Sequence, residues 1–153
     1  MLPGVAAPEE PPRAIAQEGL VDALVQISFV TMAVLSKAGA EYDLSLTQLR
    51  VLGILRDRRV RMTRLAEYLG LEKSTMTGLV DRAAKRGLLE RGPNAHDGRA
   101  VDVFISSAGT AVAERVHAQV RRSLSPLTSE LDPAGQRQVQ ALLERMLDPH
   151  ESG

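Results

Sequence analysis

Three observations predict a mainly α fold of the α+β class for this chain. Residues 63–86 carry two apolar-striped segments hinged at Gly70, the pattern of two closely packed helices. Two short β-prone runs follow, Leu88–Arg91 and Ala100–Ile105, around the turn-rich loop Gly92-Pro-Asn-Ala-His-Asp-Gly98. Long apolar helical segments flank both sides. Together they define a winged helix–turn–helix lobe whose N- and C-terminal helices form a dimerisation domain. The expected boundaries are a disordered leader over 1–15, a dimerisation helix over 17–44, the lobe over 45–106, and C-terminal helices over 107–148.

Length and composition bound the function. At 153 residues the chain fits one domain, or one compact unit with a dimerisation extension. Two Phe, two Tyr and no Trp leave an aliphatic core of Leu, Val, Ile, Ala and Met. The absence of Cys excludes disulfides, thiolate metal sites and thiol-based redox sensing. The N-terminal MLPGVAAPEEPPR is acidic and Pro-rich, so a leader and not a signal peptide is expected. No run of 18 uncharged apolar residues exists, and the expectation is a soluble cytoplasmic protein with no membrane partner.

Zero net charge hides an asymmetry. Residues 45–106 hold twelve Arg and Lys against seven Asp and Glu, a net of +5, and the remainder carries −5. A basic middle between acidic ends is the electrostatic footprint of a nucleic-acid face.

The elements follow in order. From Gln17 to about Ala40, apolar residues surround the helix, among them Leu20, Val21, Leu24, Ile27, Phe29 and Val34. Such a helix needs cover on all sides, and a second subunit is the expected provider. Ser45 and Gln48 form a capping-box pattern opening a helix to about Asp57 with Leu49, Leu52 and Leu55 inside. Arg59–Met62 reads as a minor strand. Thr63 is the expected cap of the next helix, which buries Leu65, Ala66 and Leu69 and stops at Gly70.

The helix from about Lys73 to Arg86 buries Met76, Leu79, Val80 and Ala83 at helical spacing. Its other face presents Lys73, Ser74, Thr75, Thr77 and Arg82. Short hydroxyls at a helix start permit close approach to base edges and phosphates in a major groove. Ser74 serves equally as an N-cap, and Asp81 with Lys85 as an i, i+4 surface pair. The hairpin loop carries Asn94, His96, Asp97 and Arg99, a basic wing suited to the narrow minor groove. Asp97 is expected to fix the direction of an Arg side chain. His96 beside Asp97 lacks a third ligand at suitable spacing, so no metal is expected. In the second strand, Val101, Val103 and Ile105 are expected to share one face.

Ser106 or Ser107 can cap a helix through Ala111, Val112, Val116 and Val120 to about Leu124, where Ser125-Pro126 is expected to break or kink it. Asp132-Pro133 supplies an N-cap and a first-turn proline for a final helix carrying Val139, Leu142, Leu143, Met146 and Leu147.

The segment from Leu46 to about Val116 resembles the MarR family of winged-helix regulators. The carriers are Leu71-Glu-Lys-Ser-Thr-Met-Thr-Gly-Leu-Val-Asp-Arg82, Lys85-Arg-Gly-Leu-Leu-Glu-Arg91, the wing signature Asp97-Gly98-Arg99 and the helix start Ser106-Ser-Ala-Gly109. The resemblance implies a homodimer with interlocked terminal helices, whose two lobes bind a pseudo-palindromic operator on double-stranded DNA. It implies a transcription regulator, most often a repressor, released by a small ligand or an oxidant. Lys73, Ser74, Thr75, Thr77 and Arg82 match the groove- and phosphate-facing positions, Arg99 the wing arginine and Asp97 its acidic partner. Gly78 stands where relatives often carry a longer side chain. The implied effector pocket makes Phe29, Met32 and His117 candidate lining residues. No cofactor is expected, and without a Gly-rich phosphate loop or nucleophile motif the chain is not read as an enzyme. The alternative is a winged-helix protein-interaction module without specific DNA binding.

Overall fold

The computed structural model describes residues 13–148. Its elements are α1 (Arg13–Ala40), α2 (Leu46–Ile54), β1 (Val60–Arg61), α3 (Met62–Leu69), α4 (Lys73–Lys85), β2 (Leu89–Pro93), β3 (Val101–Ile105), α5 (Ser107–Thr128) and α6 (Pro133–Leu147). The mainly α winged-helix class is the one expected. The described residues divide into two units between Ala33 and Val34.

The described part of the first unit is a stretch of α1. The leader expected over 1–15 lies outside the described residues up to residue 12. Its end is corrected, because Arg13–Ile15 are already helical. The double proline stops at Pro12, and Ala16 and Gln17 favour helix, so nothing opposes an earlier start. Leu20, Val21, Val25, Ile27, Phe29 and Val30 are all exposed, giving a helix apolar on every side. By length and composition alone, Ile15–Ala40 is apolar enough to cross a membrane.

The second unit owns the core. Val51, Leu52 and Leu55 meet Leu65 and Ala66 of α3, Met76, Leu79, Val80 and Ala83 of α4, and Val103 of β3. All four apolar positions expected on α4 are buried. Ser45 makes the capping box with Gln48, both hydrogen bonds being present. α2 ends at Ile54, short of Asp57, where Arg58 Nε donates to the Ile54 carbonyl at 3.0 Å and satisfies the helix end.

β1 runs directly into α3, with Arg61 as the N-cap residue. Thr63 therefore lies inside the first turn and is not the cap. Gly70 closes α3 at φ 63°, with the Leu71 N–H reaching the Ala66 carbonyl and the Gly70 N–H the Glu67 carbonyl. This left-handed closure is one that glycine adopts without a Cβ penalty. Gly87 closes α4 in the same way at φ 73°.

The sheet is antiparallel in the order β1-β3-β2, with Val103 opposite both Val60 and Arg91. The expected single buried face of β3 is only partly realised. Val103 is buried, but Val101 is exposed and Asp102 is 7 % exposed. Val101 sits at the wing end beyond the core, while Asp102 is covered by polar partners described below.

Ser106 caps α5 through the Gly109 N–H. α5 continues through Pro126 to Thr128, contrary to the expected break near Leu124. Pro126 lies on an exposed turn, where the missing N–H costs one backbone bond and water can serve the freed carbonyl. Asp132 caps α6 through the Gly135 N–H, with Pro133 in the first turn. No residue of α6 is buried, and Val139, Leu142, Leu143, Met146 and Leu147 are exposed.

Candidate nucleic-acid interface

Two of the expected groups come together. Lys73, Ser74 and Thr75 occupy the first turn of α4 and are exposed. Ser74 is not the N-cap: Glu72 holds that position and makes no side-chain cap hydrogen bond. The Ser74 hydroxyl is thus not used as a cap. Thr77 Oγ1 donates to the Lys73 carbonyl at 2.9 Å, which fixes its rotamer. Arg82 is exposed one turn on, and its guanidinium lies over Gly78, 3.5 Å from where a Cβ would stand. Asp81 pairs with Arg91 of β2 and not with Lys85, so α4 is tied to the first strand of the hairpin. At the other end of α4, Arg86 donates to the carbonyls of Asp43 at 2.8 Å and Tyr42 at 2.6 Å.

The wing is organised by Asn94. Its Oδ1 accepts from the backbone N–H of His96 at 2.9 Å and of Asp97 at 3.0 Å, and from Arg61 at 3.3 Å. Its Nδ2 donates to Asp102 Oδ1 at 3.0 Å. Arg59 Nε approaches Asp102 Oδ2 at 3.6 Å while its guanidinium stacks 4.1 Å over the Phe104 ring. A buried carboxylate thus anchors the asparagine that shapes the loop.

Asp97 acts differently from expectation. Its Oδ1 accepts from the Arg99 backbone N–H at 3.1 Å, so it sets the turn and not the guanidinium. This bond from a side chain to the backbone two residues on is an Asx-type turn. His96 and Arg99 are exposed.

A cavity of about 190 Å³ joins the helix to the wing, lined in part by Lys73, Thr77 and Arg99. Arg61, Thr63 and Arg91 share it; the sequence marked none of them as a DNA contact, and Thr63 only as a helix cap. Arg61 and Arg91 were counted in the basic middle, but only the antiparallel β1-β3-β2 pairing brings them to one cleft.

The candidate effector residues separate. His117 lines a cavity of about 200 Å³ with Leu35, Leu49, Leu52, Arg56 and Val120 among its walls. Phe29 and Met32 are not among that cavity's lining residues, and they are 66 % and 42 % exposed.

The MarR family model matches residues 42–100, the stretch that holds the helix pair and most of the wing. YfiV of Bacillus subtilis (strain 168), an uncharacterized HTH-type transcriptional regulator, is 30% identical over 117 residues, covering 69% of this chain and 73% of its own. The chain belongs to the MarR family. The multiple antibiotic resistance protein MarR of Escherichia coli (strain K12) is 29% identical over 107 residues, covering 69% of this chain and 74% of MarR. In fold, this MarR-family chain matches the crystal structure of a mutant E. coli MarR complexed with operator DNA. That match has a TM-score of 0.67 at 23% identity, covering 90% of this chain and 99% of the other.

Proposed function

We propose that this chain is a dimeric, sequence-specific DNA-binding transcription regulator that acts as a repressor. It reads a pseudo-palindromic operator, with α4 in the major groove and wing 92–99 in the minor groove. One observation carries the reading: the exposed first turn of α4 and the wing Arg99 border one cationic cleft. A helix start with short hydroxyls beside a projecting arginine suits adjacent major and minor grooves. The relative crystallised on operator DNA supports the same assignment.

The dimer is assigned to α1 and α6. Each presents exposed apolar side chains in the single chain, far more than an isolated soluble surface carries. A second copy is favoured over a bilayer as the cover. The α6 stripe is interleaved with Arg137, Glu144 and Arg145, and α1 carries Asp22 within its apolar stretch. A small-molecule effector is assigned to the cavity at His117, where Arg56 and His117 are the polar groups in an apolar wall. Phe29 and Met32 are assigned to the dimer surface instead.

Selection of bound sequences from a random duplex pool tests the reading. The expected result is an enriched inverted repeat, its half-sites about one helical turn, roughly 34–36 Å, apart. Recovery of no enriched sequence would sink it and favour the protein-interaction module.

A further inference from the structure

The cleft between α4 and the wing holds more positive charge than one groove-reading arginine requires. Arg61 of β1, Lys73 of α4, Arg91 of β2 and Arg99 of the wing all border it, with Thr63 and Thr77 between them. Two helices also begin at its wall, since Met62 and Thr63 open α3 and Lys73 opens α4. The N-cap residues of these two helices, Arg61 and Glu72, make no side-chain cap hydrogen bond. By contrast, Ser45, Ser106 and Asp132 cap α2, α5 and α6 with their side chains. First-turn N–H groups therefore lack a side-chain acceptor at the same place where the cations gather. Free helix-start donors and neighbouring cations are what an oxyanion needs.

The charge is available to a ligand. Lys73 and Arg99 form no ion pair among the described residues. Arg91 is steadied by Asp81, both half-exposed, and Arg61 by Asn94. The cavity is about 190 Å³, below the roughly 300–1,000 Å³ of pockets that enclose drug-sized ligands.

We propose that this cleft seats one backbone phosphodiester of the bound duplex, at the step where a strand passes from the major groove under α4 to the minor groove under the wing. The seat rests on the DNA-binding reading above. It adds Arg61, Thr63 and Arg91 to the contact surface and gives the Asp81–Arg91 pair a purpose, holding a guanidinium in place before DNA arrives. Such a seat carries no sequence information of its own; it fixes the register in which helix and wing read their two grooves.

The test uses selected operator duplexes, each with a single neutral methylphosphonate linkage. Wild type is compared with Arg61→Gln and with the double variant Asp81→Asn/Arg91→Gln. The double variant removes both partners and leaves net charge unchanged, so a change in its salt dependence reports a local contact. At one linkage per half-site, the neutral group is expected to weaken wild type about tenfold and the variants no further. Each variant's salt slope should fall by about 1. Losses that add at every linkage, or unchanged slopes, overturn the seat while the DNA-binding reading stands. Absence of any specific wild-type complex overturns that reading, and the seat with it. Should Arg61→Gln fail to fold in a thermal melt, the exposed Asp81/Arg91 pair carries the test alone.

Discussion

Asn94 donates its side-chain amide to the buried carboxylate of Asp102 at 3.0 Å, and through this bond the central strand of the sheet holds the wing loop. The Oδ1 of the same asparagine takes the N–H groups of His96 and Asp97. Removing Asn94 frees three protein donors and leaves an acceptor of the buried Asp102 unmet. Asn94→Ala is therefore expected to cost about 1–3 kcal/mol in urea unfolding. It should also accelerate amide exchange at His96 and Asp97 well beyond that in β2. Unchanged protection at those two amides would remove Asn94 from its place as the organiser of the wing.

Gly109 sits where α5 begins against the end of the recognition-helix turn. An added Cβ would lie 2.1 Å from the Leu88 carbonyl oxygen and 2.8 Å from Ile105 Cγ1. The nearer atom is backbone and also accepts from the Ser106 N–H, so it cannot swing aside. Gly109→Ala should destabilise by at least about 1–3 kcal/mol, the usual cost of overpacking. Gly87→Ala meets open space and pays only the left-handed backbone strain of about 1–2 kcal/mol. Thermal melts at equal chain concentration should rank Gly109→Ala below Gly87→Ala; the reverse order would refute the close contact.

Much of this lobe was legible because local chemistry and tertiary packing agree there. The Ser45–Gln48 box and the Gly70 stop satisfy backbone groups with residues beside them in sequence, and the Met76/Leu79/Val80/Ala83 stripe builds the core from one helix face. Reading failed where a partner distant in sequence decides. Thr63 and Ser74 have the chemistry of caps, yet the chain enters α3 straight from a strand and the N-cap of α4 lies two residues before Ser74, so neither is placed to cap. Asp102 occupies a position that alternation marks as outward, but Arg59 before β1 and Asn94 after β2 come from loops to cover it. Asp81 had Lys85 four residues on, yet it pairs with Arg91 on the following strand, β2.

Gly78 lies mid-helix in α4, where glycine costs up to ~1 kcal/mol relative to alanine. Among the described residues, the side chain an alanine methyl would meet is the end of the flexible Arg82, at 3.5 Å. Gly78→Ala should therefore raise stability by about 0.4–1 kcal/mol. A lower melting temperature would mean that the Arg82 guanidinium needs the bare backbone beneath it.

Arg99 is exposed at the wing and forms no ion pair among the described residues, while Asp97 accepts from the backbone. On the proposed mode its guanidinium enters the narrow minor groove. Arg99→Ala should weaken specific binding and chiefly erase preference at A·T positions flanking the half-sites, because a narrow A·T groove concentrates negative potential. Preference at the base pairs under α4 should persist. Repeating the duplex selection with the variant reads both at once; an unaltered flanking preference would detach the wing from recognition.

The exposed stripe of α6 gives the sharpest test of the dimer. Leu142 and Met146 lie four residues apart, so they share one helix face, and both are exposed although apolar. Neither contributes to the buried core of the second unit, so charging them should leave its folding intact. The double change Leu142→Glu/Met146→Glu would place two carboxylates in an apolar interface, each costing several kcal/mol if desolvated without a partner. Light scattering at micromolar concentration should then give half the wild-type mass while the circular dichroism of the lobe is retained. Binding to the full operator should fall to that of a single half-site, because the second lobe is no longer delivered at high local concentration. A dimer of unchanged mass would move the interface away from α6 and leave its apolar stripe without an assigned cover.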